Sequence, residues 1–104
     1  MRLKNIVDAL NSHYLKKHPE AYGWFIGKET IEPTKINIYK QLKAEIFYHI
    51  PGRNKRVFTV QLVDRCPEGS EEVLKDRLLT EMLITVFDNI NCLEKYTTSR
   101  DETV

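Results

Sequence analysis

This sequence lacks the long apolar runs, cysteine clusters, glycine-rich loops and charge excess that announce most functional classes. No apolar run approaches the roughly 20 residues that a helix needs to span a bilayer. Met1 to Leu10 mixes Arg2, Lys4, Asn5 and Asp8 with apolar residues, so the unbroken hydrophobic stretch of a signal peptide is missing and none is expected. Only two cysteines occur, Cys66 and Cys92, with no CxxC pair and no zinc-site spacing. One disulfide is compatible with them, but small secreted scaffolds usually carry several, so the expectation is two reduced thiols in a cytosolic protein. Neither sign of charge dominates: 16 basic and 15 acidic residues leave +1. A chain so close to neutral lacks the strongly basic footprint of a dedicated nucleic-acid binder. No internal repeat or low-complexity segment interrupts it.

What remains is ordinary globular material. A chain of 104 residues, 41% apolar and 30% charged, is one domain by size and long enough to bury a core without staples. Leu3, Ile6, Val7, Leu10 and Tyr14 recur at helical spacing, with Lys4, Asn5, Asp8, Asn11 and Ser12 on the other side. That helix should stop near Lys17, because Pro19 disfavours helical geometry in His18. Ala21 to Gly27 is short, aromatic and bounded by glycine, which predicts a strand or extended segment, and Pro33 predicts a break. Ile36, Ile38, Leu42, Ala44, Ile46, Tyr48 and Ile50 alternate with polar residues such as Lys43, Glu45 and His49. This pattern predicts either one long strand or two meeting near Lys40. Pro51-Gly52-Arg53-Asn54 has turn chemistry, and Phe58, Val60 and Leu62 alternate after it, so the two runs read as a β-hairpin. Val57 and Val63 make its second face partly apolar as well.

Ser70 is placed to cap a second helix, with Glu71 and Glu72 in the first turn where the helix dipole favours carboxylates. The helix should run to about Tyr96, roughly 39 Å at 1.5 Å per residue. Leu79, Met82, Leu83, Val86, Phe87, Ile90 and Leu93 should form its apolar stripe, widened by Val73, Leu74 and Leu78. The expected fold is therefore α+β: an N-terminal helix, an antiparallel sheet with a long β-hairpin, and a long C-terminal helix packed on the sheet. Residues 1–96 make the domain and residues 97–104 a flexible tail.

The chemistry-bearing residues are scattered. His13, His18 and His49 have no second ligand at metal spacing, and lone histidines are more often surface or capping residues. Arg65 could lower the pKa of the Cys66 thiol, but Glu68, Glu71 and Glu72 follow in place of a phosphate-cradling loop. Gly69-Ser70 has neither the glycine run nor the lysine of a phosphate loop. Tyr22, Trp24 and Phe25 could stack on bases, yet aromatics beside glycine more often pack in a core. No nucleophile, base and orienting group come together, so the expectation is a protein that is not an enzyme and takes no metal or cofactor. The one charge cluster is the hairpin tip, where Arg53, Lys55 and Arg56 stand without an acid from Pro51 to Val63. It either keeps a sheet edge from aggregating or touches an acidic partner. Gly52, Arg53, Asn54, Lys55 and Arg56 are thus the candidate contact residues.

Helix, strands, helix is also the element order of the double-stranded RNA-binding domain, which grips phosphates with lysines at the start of its second helix. Here that position reads Ser70-Glu71-Glu72, and the Gly-Pro-x-His loop of that family is absent. A small nucleic-acid-binding module is therefore the alternative and not the favoured expectation. From about Ile6 to Leu93 the layout resembles the small connector and tail-terminator proteins of tailed bacteriophages. The opening helix, the aromatic segment Tyr22 to Phe25, the long hairpin, the strand ending Val60-Gln61-Leu62-Val63-Asp64-Arg65 and the closing helix opened by Ser70-Glu71-Glu72 carry the resemblance. It implies a non-catalytic structural subunit at the head–tail junction, in a homo-oligomeric ring touching neighbouring virion proteins. The implied location is the virion, assembled in the host cytoplasm; without the resemblance the expectation is cytoplasmic. No membrane contact is expected.

Overall fold

A computed structural model describes residues 1–21, 23–36 and 38–93 of the chain. Helix α1 (Leu3–Lys17) is followed by strands β1 (Trp24–Pro33), β2 (Tyr39–Ile50) and β3 (Arg53–Arg65) and by helix α2 (Glu71–Asn89). A short 3-10 turn, Ile90–Cys92, ends the described chain. The three strands form one antiparallel sheet in the order β1-β2-β3, so β1 and β3 are both edges. The α+β fold expected from the sequence is the one observed.

Both helices pack on the same face of the sheet. Phe25, Leu42, Ala44, Ile46, Tyr48 and Phe58 form one buried cluster with Leu3, Ile6, Val7, Leu10 and Tyr14 of α1 and Leu74, Leu78, Leu79, Met82 and Val86 of α2. Leu3 and Val7 lie so close over Gly27 that an added Cβ would come within 2.9 Å of each. Asn11 holds α1 against the strand end: its side chain accepts from the Phe25 N–H at 2.7 Å and donates to the Phe25 carbonyl at 3.0 Å. Tyr14 then meets Phe25 and Tyr48 edge-on, at 5.4 and 5.7 Å between ring centroids. The fully buried apolar side chains of the sheet lie on this face, and no other layer among the described residues covers the opposite face.

Several local expectations need correction. β1 extends to Pro33, well beyond Gly27, because pairing with β2 from Trp24↔His49 to Pro33↔Lys40 recruits the charged run after Gly27. Proline is tolerated there because β1 is an edge. Ile36 and Ile38 do not enter the strand; they are 62% and 41% exposed in the turn before it. The Thr34 hydroxyl organises that turn, donating to the Tyr39 carbonyl at 3.0 Å and accepting from the Ile36 N–H at 3.2 Å. Ser70 does not cap α2 with its side chain, because its hydroxyl donates instead to the Pro67 carbonyl at 2.7 Å.

α2 is also shorter than expected, 19 residues or about 28 Å. Near its end, Thr85 Oγ1 bonds the Glu81 carbonyl at 2.8 Å and Asn89 Nδ2 bonds the Thr85 carbonyl at 2.7 Å. Such side-chain bonds compete with the helical ladder, and the chain tightens into the 3-10 turn. Tyr22, Tyr96 and the tail expected at 97–104 lie outside the described residues.

Candidate interaction surfaces

The hairpin-tip residues divide between the two faces of the sheet. Gly52 sits at the turn with φ +89, a conformation that favours glycine. Beyond it, a β-bulge between Ile46 and Phe47 pairs Phe47 with Arg56 and Ile46 with Phe58, leaving Val57 as the extra residue. Arg53 and Lys55 therefore flank Ile50 and Tyr48 on the helix side, half-buried and engaged in contacts. Asn54 and Arg56 flank His49 and Phe47 on the helix-free side, and both are exposed. Asn54 Oδ1 pairs with His49 Nδ1, and the His49 ring lies 4.7 Å from that of Trp24.

The helix-free sheet face follows from the register. Its rows are Trp24-His49-Asn54, Ile26-Phe47-Arg56, Lys28-Glu45-Thr59, Thr30-Lys43-Gln61 and Glu32-Gln41-Val63. Trp24 is 47% exposed and Val63 56%, while Ile26 and Phe47 are half-buried. Glu45, expected on this wetter face, is on it but only 7% exposed. Arg56 Nη1 donates to its carboxylate at 3.3 Å, and Lys28 stands opposite it on β1. The face therefore combines exposed apolar and aromatic area with the cations Lys28, Lys43, Arg56 and Arg65, against Glu32 and Glu45.

A second surface lies on α2, where the sequence reading of a single stripe fails. Leu74, Leu78, Leu79, Met82 and Val86 are buried, but Leu83 and Phe87 are 41% and 73% exposed and do not belong to the core. Val73 and Ile84 are exposed too, at 61% and 52%. At 3.6 residues per turn, Val73 and Ile84 lie roughly opposite Met82 on the helix circumference. α2 thus has two apolar faces, and the sheet can accept only one. Acids flank the outer face at Glu72, Asp76, Glu81 and Asp88. Its Arg77 is engaged with Asp64 at 2.8 Å, and that bond, the Arg65 backbone N–H and the nearby positive charges hold the Asp64 carboxyl below its usual value.

A groove of about 630 Å³ runs between β3 and α2, lined by Val60, Leu62, Val73, Arg77, Thr80 and Glu81 among others. Its polar lining is Gln61, Asp76, Arg77, Thr80 and Glu81. Cys66 is buried, with Ser70 Oγ 3.8 Å from its sulfur, and Cys92 is exposed; both thiols are free. Among the described residues, no group of three or more His, Cys, Asp or Glu is placed to hold a metal ion. No described helix is long and apolar enough to cross a membrane. The sequence showed the second sheet face as partly apolar through Val57 and Val63, but sequence reasoning missed which residues make the outer face of α2 apolar. The i, i+7, i+11, i+14 spacing of Val73, Thr80, Ile84 and Phe87 was the signal for that outer face. Comparison with models of known protein families, with curated proteins and with solved structures found no match to this chain.

Proposed function

We propose that this protein is a non-enzymatic structural subunit that associates with copies of itself, head to tail, into a closed ring at a phage head–tail junction, as a connector or tail terminator. The observation that carries self-association is the second apolar face of α2, where Val73, Leu83, Ile84 and Phe87 stand 41–73% exposed on one helix. Large apolar residues gathered on an exposed helix face mark an interaction surface more often than an ordinary exterior. A ring needs two different, complementary surfaces on each copy, and the helix-free sheet face is the second. The place at a phage junction rests on the sequence layout alone. No cofactor takes part, and the further partners are neighbouring virion proteins. Imaging of the assembled particle tests the reading: a ring of identical copies supports it, and a single copy per particle overturns it.

One observation favours a second reading, a small nucleic-acid-binding module. The order α1-β1-β2-β3-α2, with both helices on one face of the sheet, matches the layout of double-stranded RNA-binding domains. The start of α2 opposes it: Glu71 and Glu72 occupy the first turn, and Glu71 already holds Lys40 at 3.3 Å. Titration of duplex RNA at low and physiological salt decides, since a phosphate-gripping module shows a steep salt dependence.

A further inference from the structure

We infer that the outer face of α2 of one copy docks on the helix-free sheet face of the next copy. The inference rests on the self-association proposed above and says which surfaces meet. Three observations select this occupant. The first is charge. The outer face of α2 carries Glu72, Asp76, Glu81 and Asp88, while its Arg77 is engaged by Asp64. The sheet face carries Lys28, Lys43 and Arg65 against one free acid, Glu32, while its Arg56 is engaged by Glu45. The sheet face is apolar at its Trp24, Ile26 and Phe47 end and polar through its centre, and its free charges sum to positive where those of the α2 face sum to negative. Two α2 faces would repel, as would two sheet faces, so a two-fold contact that repeats one face is disfavoured.

The second is shape. Strands about 4.8 Å apart present a face roughly 10 Å across, close to the diameter of one helix with its side chains. The 12 residues of β2 extend about 40 Å, so the 28 Å of α2 fits along them. The third is direction. α2 lies on one side of the sheet and the bare face looks out of the other, so one contact leaves the sheet face of the first copy free at one end of the dimer and the helix face of the second free at the other. Growth continues until rotation closes it. In the assembly the sheet gains on its bare side the helical cover that α1 and α2 give the other.

The test is cross-linking between two populations in a Cys92→Ser background, which leaves Cys66 buried as the only native thiol. One population carries Ile84→Cys on the helix and the other Thr30→Cys on the sheet. Each is treated with a short bis-maleimide alone and then mixed, beside a lysine-directed cross-linker on the unsubstituted protein. The inference expects cross-linked dimer in the mixture and several-fold less in either population alone, with the yield falling as salt rises. Dimer in a single population at the yield of the mixture means that like faces meet, and it overturns the inference. Lysine-linked oligomers with no thiol-linked dimer in the mixture overturn the docking faces and leave the ring reading standing. Monomer under every cross-linker, at millimolar protein and within the assembled particle, overturns both.

Discussion

The Glu45 carboxylate lies 3.3 Å from the Arg56 guanidinium on the helix-free face, although Arg56 has the same strand parity as Phe58, which is buried beneath the helices. The bulge that leaves Val57 unpaired turns the preceding residues of β3 over, and so sets which cations face outward. Glu45 is nearly buried while Arg56 is largely exposed, so the pair is partly screened and its coupling modest. A double-mutant cycle with Glu45→Ala and Arg56→Ala, followed by urea unfolding, should give a coupling of about 0.5–1 kcal/mol at low salt and less at high salt. A coupling of zero at low salt would show that the contact contributes nothing.

Gly23 leaves room for the Tyr48 ring, into which an added Cβ would run. The Gly27 Cβ would meet the methyl ends of Leu3 and Val7 at 2.9 Å. Methyl ends can turn aside, whereas a ring wedged among Tyr14 and Phe25 can only move as a unit. Gly23→Ala should therefore cost about 1–3 kcal/mol, and more than Gly27→Ala. Urea unfolding of both variants checks the order.

The hairpin, the α+β class and the core face of β2 were legible because Leu42, Ala44, Ile46 and Tyr48 alternate cleanly and lie on a central strand with a covered face. What the sequence hid follows from pairing. Ile36 and Ile38 continue the same alternation but have no helix above them, and Thr34 folds them into a turn. The basic cluster at Gly52 to Arg56 was visible as charge, but its division between two faces depends on a bulge that no turn residue announces. On α2, apolar residues occupy both sides, and burial separates them only once the position of the sheet is known.

Met82 and Leu83 are neighbours on α2 with opposite environments, fully buried and 41% exposed. Met82→Ala should cost about 2–5 kcal/mol, as a cavity in a packed core does. Leu83→Ala should cost well under half of that in the monomer. Equal losses in urea unfolding would return Leu83 to the core.

Asp64 binds Arg77 at 2.8 Å and accepts from the Arg65 N–H at 2.7 Å, which lowers its carboxyl below the 3.8 of an unperturbed aspartate. A depressed folded-state value means that the contribution to stability is present above 3.8 and is lost as pH falls through the lower, folded value. Arg77→Ala should therefore lower stability at neutral pH, and the gap from the unsubstituted protein should close at the acid end. A gap independent of pH would assign the effect of Arg77 to packing along the groove.

Lys43 stands near the centre of the helix-free face, and Glu81 flanks the outer stripe of α2. Lys43 is half-buried between Thr30 and Gln61 on the open face and Glu81 is exposed, so reversing either charge should leave the monomer folded, which circular dichroism verifies. If helix and sheet faces of different copies meet, Lys43→Glu and Glu81→Lys each place a charge beside another of its own sign and weaken association. Combining the two on one chain restores opposite signs across every contact of the ring, because each copy offers one face to each neighbour. Association of the double variant should then exceed that of either single variant. All differences should shrink between 0.01 M and 1 M salt, as the screening length falls from about 30 Å to 3 Å. Sedimentation velocity across a concentration series measures each state. Losses that simply add in the double variant would mean that Lys43 and Glu81 do not face a common interface, and salt-independent losses would mean that packing, and not charge, was disturbed.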